Sequence, residues 1–575
     1  MVRFMVAWAF WIAPCLTLAQ LDDLLDGPWA APALDILERR RENPMCLRCC
    51  TAQDLTEIPG ISERTAHAII RTVNAGNVRS IEQLADTLCL TSDQFVLLTS
   101  CTTLDGSCAG IIRAVDSRMR APTSSTGTTM ARVDVDYALG RAGAIYAARS
   151  ADDTQISGAW ATARVSEVDI VIGDYALRLN TGLIMGTARG LSRNASDVLT
   201  SRSTQWQMRP WTSSTTDGAL RGISVHASIP SSPIDVIGAV STMVVENKRE
   251  TLIAFSSSLR TGASSLTTSV VTGMQETSAS IGTSHEFEGG SIVAEAALDG
   301  AQQLALQANA HYATRTVDLG AALWWYSPNF HAPYGSTSNT VSSPVNHTGI
   351  LVATRFHPSP MFTGAVSLLY GGRISRSFLV PLPTTAVNIT TDISCRPMKG
   401  VVISTRLRYE RNTDAHAEND LRRMDISTAF TFRTDIDFPI VPSLKGRLRV
   451  DLRSLHWWRS ALSDRGALMF IDLRWQIFTA LSLRARWAQF SSTSGDIAPR
   501  MLDATVAGAL QTVTGNGIGT RRTITARLQA TSWLALSCAI HHDSRVVDGQ
   551  SRSEMSATLQ VDITFLPSKR AGFLF

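Results

Sequence analysis

Residues 555–565 read Met-Ser-Ala-Thr-Leu-Gln-Val-Asp-Ile-Thr-Phe, with a hydrophobic side chain at every odd position and a polar one at every even position. Successive side chains of a β-strand point to opposite faces, so this period of two predicts a strand with one apolar face and one hydrated face. The charge of Asp562 in the middle of the polar face indicates water on that side. A strand of this kind fits a boundary between lipid and water.

The same alternation recurs from about residue 129 to the end of this strand. Counting the alternating segments predicts about 20 to 24 antiparallel strands, with an even number favoured for a bacterial barrel made from one chain. The clearest segments are Leu448, Val450 and Leu452 against Arg447, Arg449, Asp451 and Arg453; Met469, Ile471, Leu473 and Trp475 against Asp472, Arg474 and Gln476; Leu481, Leu483, Ala485 and Trp487 against Ser482, Arg484 and Arg486; and Val133, Val135, Tyr137 and Leu139 against Arg132, Asp134 and Asp136.

A water-soluble β-sandwich also has alternating strands. A membrane barrel is favoured because the strands continue over most of the chain, because the charged face mixes arginine with aspartate as a hydrated lumen does, and because Trp and Tyr recur near strand ends. We therefore predict an all-β transmembrane barrel at residues 129–575. Outer-membrane lipid would surround it and the barrel assembly machinery would insert it, while its oligomeric state stays open.

Composition and the first residues agree with this location. The 575 residues are 44% hydrophobic and 18% charged with a net charge of +4, which excludes a disordered chain and a protein that coats nucleic acid. Residues 1–19 have one positive charge, an apolar run and a small residue at the end, which predicts a secretory signal peptide cleaved after Ala19. An inner-membrane anchor and a lipoprotein signal at Cys15 are the alternatives.

Loop lengths predict which end of the barrel faces outwards. The long polar stretch from Ser327 to Thr348 is typical of an extracellular loop, and the short join Pro397-Met398-Lys399-Gly400 is typical of a periplasmic turn.

Residues 20–110 have helical rather than strand periodicity. Leu55 and Ile58 close a short helix, residues 59–62 make a tight hairpin, and Ala66, Ile69, Ile70 and Val73 form the inward face of a second helix. A capping box at residues 80–83 opens a second pair. We expect a small all-α domain with a tandem helix-hairpin-helix at residues 51–100, followed by a linker at residues 111–128.

This region resembles the competence-type helix-hairpin-helix domains that bind DNA without sequence preference. The resemblance implies that Gly60, Ile61, Ser62 and Arg64 face a DNA phosphate. Ser62 stands where the family has its second hairpin glycine, and the surrounding charges nearly cancel, which weakens the electrostatic attraction to DNA. The alternative is a domain that docks a periplasmic protein or caps the barrel mouth.

A wider resemblance is to little-characterised outer-membrane proteins, typical of the Bacteroidota, in which a competence-type domain precedes a large barrel. It implies the architecture of the chain and leaves its activity open. Asn180 stands where such proteins usually have a further glycine. The matching segments are Leu34 to Pro44, Thr51 to Leu98, Gly173-Asp174-Tyr175 with Gly182-Leu183, and Tyr326 to Phe330.

Most cysteines lie in or beside the helical region, where an oxidising periplasm favours disulfides. A metal site beginning at Cys46 and Cys49 is the alternative, but no histidine or second close pair completes four ligands. The disulfide candidates are Cys46, Cys49, Cys50, Cys89, Cys101 and Cys108.

No catalytic motif is evident, and we predict neither an enzyme nor a cofactor. His541, His542 and Asp543 form the most suggestive cluster, which a solvated strand end explains more simply. Two functions remain. One is a transport or secretion channel whose periplasmic domain engages cargo, including DNA; the other is a non-conducting barrel whose helical domain binds a periplasmic protein partner.

Overall fold

A computed structural model describes residues 45–48, 50, 54–55, 58, 61, 63–76, 78, 80–88, 98–99, 101–104, 112–122, 128–137, 139–149, 154–186, 206–211, 219–229, 232–245, 248–274, 276–314, 316–335, 345–359, 361–376, 382–398, 400–418, 421–503, 505–506, 512–531, 533–547 and 549–565. The predicted signal peptide at residues 1–19 lies outside the described residues, as do residues 566–575.

Residues 45–104 form a small helical unit. Helix α1 (Glu63–Asn74) and helix α2 (Ile81–Leu88) are amphipathic, and the ends of the unit meet where β1 (Met45–Cys46) pairs in parallel with β2 (Thr102–Thr103). The apolar stripes of both helices pack on one core. Its buried members are Met45, Leu47, Leu55, Ile58, Ile61, Ala66, Ile69, Val73, Val78, Leu84, Leu98 and Cys101.

Most of the remaining described chain is β-structure. Nearly all of it forms one sheet closed on itself, and only β25 and β26 pair separately. The strands are β3 (Ile112–Pro122), β4 (Thr128–Tyr137), β5 (Gly140–Arg149), β6 (Thr154–Val165), β7 (Val168–Leu179), β8 (Trp206–Pro210), β9 (Leu220–Ser228), β10 (Ile234–Val245), β11 (Lys248–Thr261), β12 (Ser264–Gly273), β13 (Thr277–Phe287), β14 (Gly290–Leu298), β15 (Leu304–Ala313), β16 (Val317–Tyr326), β17 (His347–Ser359), β18 (Phe362–Gly372), β19 (Ala386–Met398), β20 (Val401–Glu418), β21 (Leu421–Val441), β22 (Leu444–Trp457), β23 (Ser463–Phe478), β24 (Leu481–Ser492), β25 (Arg500–Leu502), β26 (Thr512–Thr514), β27 (Ile518–Gln529), β28 (Leu534–Val547) and β29 (Gln550–Phe565).

One position in the barrel is occupied by an interrupted strand. Both β8 and β9 pair antiparallel with β7, β8 beside its second half and β9 beside its first half. Counted as one strand, they make the described part of the chain a barrel of 24 antiparallel strands. The predicted barrel is confirmed, at the upper end of the predicted strand number.

The barrel closes where β29 pairs with β3, from Thr558 opposite Pro122 to Phe565 opposite Val115. This corrects the predicted linker at residues 111–128, because Ile112–Pro122 is the first barrel strand. Residues 123–127 lie outside the described residues. Closure supplies hydrogen-bond partners that an isolated first strand would lack, so no edge is left in the membrane.

The connections at the two barrel ends differ in length. At one end all are short, such as residues 166–167, 262–263 and 399–400. The other end has the long connections at residues 180–205, 327–346, 373–385 and 493–517. Short turns are periplasmic in outer-membrane barrels, so β3 begins and β29 ends on the periplasmic side. The long connection predicted after β16 and the short turn predicted after β19 are present, at opposite ends of the barrel.

The two faces of the wall differ as the alternation predicts. On β22 and β23 the side chains of Leu452 and Ile471 are 47% and 42% exposed on the outer surface. Their neighbours Asp451 and Asp472 are buried inside. A closed barrel with an apolar outer face and a polar interior is what a bilayer requires of strands. The protein is located in the bacterial outer membrane.

Among the described residues, no helix combines the length and apolar character needed to cross a bilayer.

Candidate functional site in the barrel lumen

Arginines line the inner face of β21 to β24. The two-residue period brings them to one face, and the register sets them opposite aspartates, for example Arg433 opposite Asp451 and Arg447 opposite Asp472. We call this set the arginine wall: Arg433, Arg447, Arg449, Arg453, Arg474, Arg484 and Arg486.

Asp472 is the central carboxylate of the arginine wall and is 0% exposed. Arg486 donates a hydrogen bond of 2.7 Å to its Oδ2, and Arg484 donates from Nε to both oxygens at 2.9 Å. Arg474 approaches to 3.7 Å. One buried carboxylate is therefore shared by three cations, an arrangement in which positive charge outweighs negative charge.

Two further aspartates are each shared by two arginines. Asp435 lies 2.8 Å from Arg447 and 2.7 Å from Arg449. Asp451 likewise lies 3.0 Å from a guanidinium nitrogen of Arg433 and of Arg453. The remaining partner, Asp437, is 4.0 Å from Arg447.

The ring of Phe470 lies among the guanidinium groups of the arginine wall. The guanidinium carbons of Arg486, Arg449 and Arg447 are 4.4, 5.2 and 5.9 Å from its centroid. Stacking on an aromatic face is favourable for arginine and restricts its rotamers. The aromatic ring thus holds several like charges in a fixed arrangement.

Two connections from the extracellular end fold into the lumen. Residues 180–186 follow β7 and residues 327–335 follow β16, and they join each other where the N–H of Gly186 donates to the carbonyl of Tyr334 at 2.9 Å. We call these segments the two inward loops. Both loops belong to one buried apolar cluster with the wall, whose members include Tyr175, Leu177, Leu179, Leu183, Ile184, Met185, Ala254, Val271, Ala297, Trp324, Tyr326, Phe330, Ala332, Tyr334, Leu351 and Leu369.

Polar side chains of the wall anchor the inward loops. Thr181 donates to Glu295 on β14, from its main-chain N–H at 2.8 Å and from its hydroxyl. The Tyr334 hydroxyl donates to Glu250 on β11 at 2.8 Å. Burial, with the nearby Glu250 carboxylate, raises the pKa of the Tyr334 phenol, so this donor keeps its proton at any physiological pH. A few specific hydrogen bonds therefore hold the two inward loops against the wall.

Backbone conformation explains the residue types at two positions, 173 on β7 and 180 at the start of the first inward loop. Gly173 has φ +95°, and a Cβ there would lie 2.0 Å from the carbonyl oxygen of Ala159. Asn180 has φ +49°, a conformation that glycine or asparagine adopts at least cost. This backbone conformation accounts for asparagine at position 180.

A third connection, residues 493–517, covers the extracellular side of the arginine wall. Its strands β25 and β26 bring Met501 and Val513 against the inward-facing Leu468, Phe470 and Phe490. The lumen above the charged groups is therefore packed with apolar side chains.

Asp503 of this connection contacts two side chains of the wall, Arg521 and His541. Its Oδ2 lies 2.8 Å from Nδ1 of His541 and 2.5 Å from Arg521. Burial raises the pKa of Asp503, but the His541 hydrogen bond and the Arg521 charge outweigh burial and hold that pKa well below its usual value. His541 is 3% exposed, so the predicted solvated strand end is wrong for this residue.

His542 faces the opposite side of β28 from His541, with Ser553 as its partner at 3.2 Å. The sequence cluster at residues 541–543 is thus divided between two faces. The contact between His541 and Asp503 had no sequence signal, because His541 lies in β28 and Asp503 lies in the connection at residues 493–517.

Only part of the predicted phosphate-binding set belongs to the described residues. Gly60 and Ser62 lie outside the described residues, and Arg64 lies in α1 with its side chain undescribed. Ile61 is buried in the helical core, and its N–H donates to the carbonyl of Ile58 at 3.2 Å. An N–H engaged in this way is a weaker phosphate donor than a free one. The tandem helix-hairpin-helix and its DNA contact stay predictions.

The predicted disulfides are not seen among the described cysteines. No bond joins Cys46, Cys50 and Cys101 to one another, although all three contribute to or border the helical core. Cys49, Cys89 and Cys108 lie outside the described residues. Within the described ranges, no group of acidic, histidine and cysteine side chains is arranged to hold a metal ion.

No protein-family model matches the chain. No curated protein matches it either.

Solved structures of outer-membrane receptors and transporters show a distant likeness. The ferripyoverdine receptor of Pseudomonas aeruginosa matches over 80% of this chain and 72% of its own, with 9% identity and a TM-score of 0.42. The ferric-catecholate import receptor Fiu of E. coli K12 matches over 79% and 82%, with 8% identity and a TM-score of 0.41. The iron transporter FrpB of Neisseria meningitidis matches over 79% and 81%, with 9% identity and a TM-score of 0.43. Likenesses this weak carry no inference about function.

The strand pairing and the two faces of the wall define the class of this protein without any comparison with solved structures. It is an integral outer-membrane β-barrel with a charged, internally packed lumen.

Proposed function

We propose that this protein is an outer-membrane transport barrel that its own extracellular loops hold closed at rest. The observation that carries this proposal is the inward folding of residues 180–186 and 327–335. A wall of 24 strands is wide enough to enclose a channel, as barrels of 16 strands and more do. Segments attached through connections, unlike the wall itself, can withdraw without breaking the strand ladder.

The charge of the lumen indicates the class of solute. Arginine outnumbers aspartate on β21 to β24, so the passage favours anions over cations. Rings of basic side chains select anions because they lower the energy of a negative charge inside the low-dielectric wall.

The helical unit belongs to the same proposal as the cargo-engaging part. It precedes β3, which begins at the periplasmic end, so it lies on the periplasmic side of the membrane. The resemblance of residues 51–98 to DNA-binding helix-hairpin-helix domains makes DNA its first candidate partner. A periplasmic protein is the alternative.

Conductance of the full-length protein in planar bilayers tests the gate. We expect the wild-type protein to be closed most of the time, and a variant with residues 327–346 replaced by a short Gly-Ser turn to show stepwise, anion-selective conductance. The matched control replaces residues 458–462, a fully described extracellular connection in which Trp458 and Leu462 are exposed, by a Gly-Ser turn and stays closed. An open wild-type channel, or a replacement variant as closed as the control, would contradict the proposal.

A second function has its own supporting observation. Inward-facing groups such as Arg447, Asp451 and Asp472 are nearly inaccessible, which is unlike a water-filled pore. A permanently filled barrel would serve as an anchor that presents the helical unit to a periplasmic protein. It predicts no conductance in any loop variant, so the same bilayer experiment separates the two functions.

A further inference from the structure

A group of polar side chains lies on the outer surface of the barrel, across β20 to β23. The strand register places its members in two adjacent rows. Both rows face outward, because they share their face with Leu452 and Ile471. The upper row is Arg411, Thr428, His456 and Ser463, and the row below it, toward the periplasm, is Tyr409, Phe430, Ser454 and Arg465.

These two rows lie where the apolar band of the outer surface ends. The next row toward the periplasm is apolar on all four strands, with Leu407, Phe432, Leu452 and Ala467. In the other direction β22 ends at Trp457, and the extracellular connection at residues 458–462 begins. The two rows therefore lie at the level of the outer-leaflet headgroups.

Trp458 of that connection belongs to the same group. Its side chain is 64% exposed, and its Nε1 donates a hydrogen bond of 2.7 Å to the hydroxyl of Thr428. Its ring meets the ring of His456 edge-on, with 5.3 Å between the centroids. Tryptophan has an apolar body and a polar N–H, which suits the boundary between acyl chains and headgroups. We call the following residues the outer basic patch: Arg411, Thr428, His456, Trp458, Ser463 and Arg465.

Hydrogen bonds fix the arrangement of the outer basic patch. The buried carboxylate of Asp425 accepts from the main-chain N–H groups of Arg459 at 2.8 Å and Ser460 at 3.2 Å, which holds the turn that carries Trp458. Nδ1 of His456 lies 2.8 Å from the hydroxyl of Ser463. A surface held in this way loses little conformational entropy when a ligand binds.

The outer basic patch has positive charge without a carboxylate to balance it. Arg411 and Arg465 are exposed, and within the described part of the chain neither guanidinium group pairs with a carboxylate. The outward-facing positions of β20 to β23 contain no aspartate or glutamate among the described residues. An arginine on the outer surface costs least at headgroup level, where its long side chain reaches polar groups. The complementary charge is therefore that of an anionic headgroup.

Another sector of the barrel differs at the same height. The outward-facing residues at the extracellular ends of β12 to β16 are uncharged, namely Thr272, Thr277, Leu298, Leu304 and Trp325. The positive charge of the outer basic patch is thus a local feature and not a property of every strand end. A local patch fits an individual lipid better than it fits a general contact with the membrane.

The spacing of the two arginines suits one lipid headgroup. Neighbouring strands are about 4.8 Å apart, which puts the backbones of β20 and β23 about 14 Å apart, within joint reach of two arginine side chains. The planar fork of a guanidinium group matches the oxygens of a phosphate.

We propose that the outer basic patch binds the phosphate-bearing headgroup of a lipid in the outer leaflet. Arg411 and Arg465 contact phosphate, and Trp458 lies at the boundary with the acyl chains. This proposal does not depend on the proposed transport function, because its site lies on the opposite face of the wall from the lumen.

Native mass spectrometry of the full-length protein, released from micelles after titration with bisphosphorylated lipid A, tests the patch. We expect saturable binding to the wild-type protein and about fivefold weaker binding to the double variant Arg411→Gln, Arg465→Gln, which loses both guanidinium forks. The matched control is Arg249→Gln, Arg376→Gln, which removes two exposed arginines from the extracellular side of other strands and should leave the affinity nearly unchanged.

Two further ligands test the chemistry of the headgroup. Dephosphorylated lipid A should bind the wild-type protein about as weakly as lipid A binds the double variant. Inorganic phosphate, added at the concentration of the lipid, should not displace bound lipid A. Equal binding of the two lipids would contradict recognition of phosphate, and displacement by inorganic phosphate would contradict a lipid as the ligand.

Migration on gels before and after heating reports whether each variant is folded. Arg411→Gln alone replaces the double variant if the latter does not fold, and it too should bind lipid A more weakly than the control. Equal binding of lipid A to the folded variant and to the control overturns the proposal, as does absence of saturable binding to the wild-type protein.

Discussion

The main-chain N–H of Thr181 donates a 2.8 Å hydrogen bond to Oε2 of Glu295, which joins the first inward loop to the middle of the barrel wall. Glu295 is buried, and the Thr181 hydroxyl donates to the same oxygen. Asn180 extends the contact through its Nδ2, which lies 3.2 Å from the hydroxyl of Ser269. These bonds hold the loop across the lumen beside a group of inward-facing hydroxyl side chains that includes Ser269 and Ser280.

Glu295→Ala should weaken the closed state. It removes the acceptor of two Thr181 donors and leaves a buried N–H without its partner, at a cost of about 1–3 kcal/mol. We expect more frequent opening events in planar bilayers than for the wild-type protein. Glu288→Ala, an exposed glutamate on the hairpin turn before β14, is the control and should resemble wild type. Identical traces from both variants would mean that this contact does not control the lumen.

Gly173→Ala should destabilise the barrel or impair its assembly. The new methyl group would overlap the Ala159 carbonyl oxygen, and the backbone would have to keep φ +95° with a side chain, at a cost of about 1–3 kcal/mol or more. Gly238→Ala meets nothing within 4 Å and should change the free energy of unfolding by less than about 1 kcal/mol. Urea unfolding of both variants in liposomes makes the comparison, and equal effects would argue against this backbone at Gly173.

Ile471→Arg should destabilise the protein because it places a charge on the lipid-facing side of β23. An arginine near the bilayer midplane costs about 2–4 kcal/mol, and one near the interface costs about 0–1 kcal/mol. Ser463→Arg, at the extracellular end of the same strand, is the matched control. A loss of stability only in the first variant, measured by unfolding in lipid, supports the assigned outer face; a loss in neither would contradict it.

The stabilisation by Asp503 should persist into strongly acidic solution. The folded-state pKa of this carboxyl is lowered, so its contribution is complete above the ordinary value of 3.8 and is lost as the pH falls through the lower folded-state value. The difference in Tm between wild type and Asp503→Asn should therefore be constant between neutral pH and about pH 4 and disappear only below that. Asp496→Asn, at an exposed position of the same connection, should show no such difference. A difference already lost near pH 5 would contradict the contacts of Asp503 with His541 and Arg521.

The helical unit should bind mixed-sequence duplex DNA if its resemblance reflects function. We expect the full-length protein to bind fluorescent DNA at low salt, with an affinity that falls as salt rises because phosphate contacts release counterions. Gly60→Asp should abolish this binding, while Gln83→Asp, which adds the same charge at an exposed position of α2, should weaken it only slightly. Absence of binding at low salt would leave a periplasmic protein as the partner.

Local alternation was sufficient to predict the two faces of the wall. Charged and apolar side chains alternate in residues 447–453. Because one face of the wall meets lipid and the other meets polar groups, this strand can face the bilayer in one orientation only. The long connection after β16 and the short turn after β19 could also be predicted, because polar length and turn residues are local properties. Local pattern therefore predicts the fold class, the inward set of arginines and the position of two connections.

Contacts between distant parts of the chain explain the features that local sequence pattern did not predict. Residues 120–127 read as a linker because proline, serine, threonine and glycine are concentrated there. Ile112–Pro122 is a strand because β29 lies beside it, with Asp562 and Gln560 as partners for Arg118 and Arg120. The inward course of the loops depends in the same way on distant partners, such as Glu295 for Thr181. His541 on β28 meets Asp503 from the connection at residues 493–517. Contacts between residues far apart in the chain depend on barrel closure, so only the tertiary structure decided which loops fill the lumen and how its charges are shared.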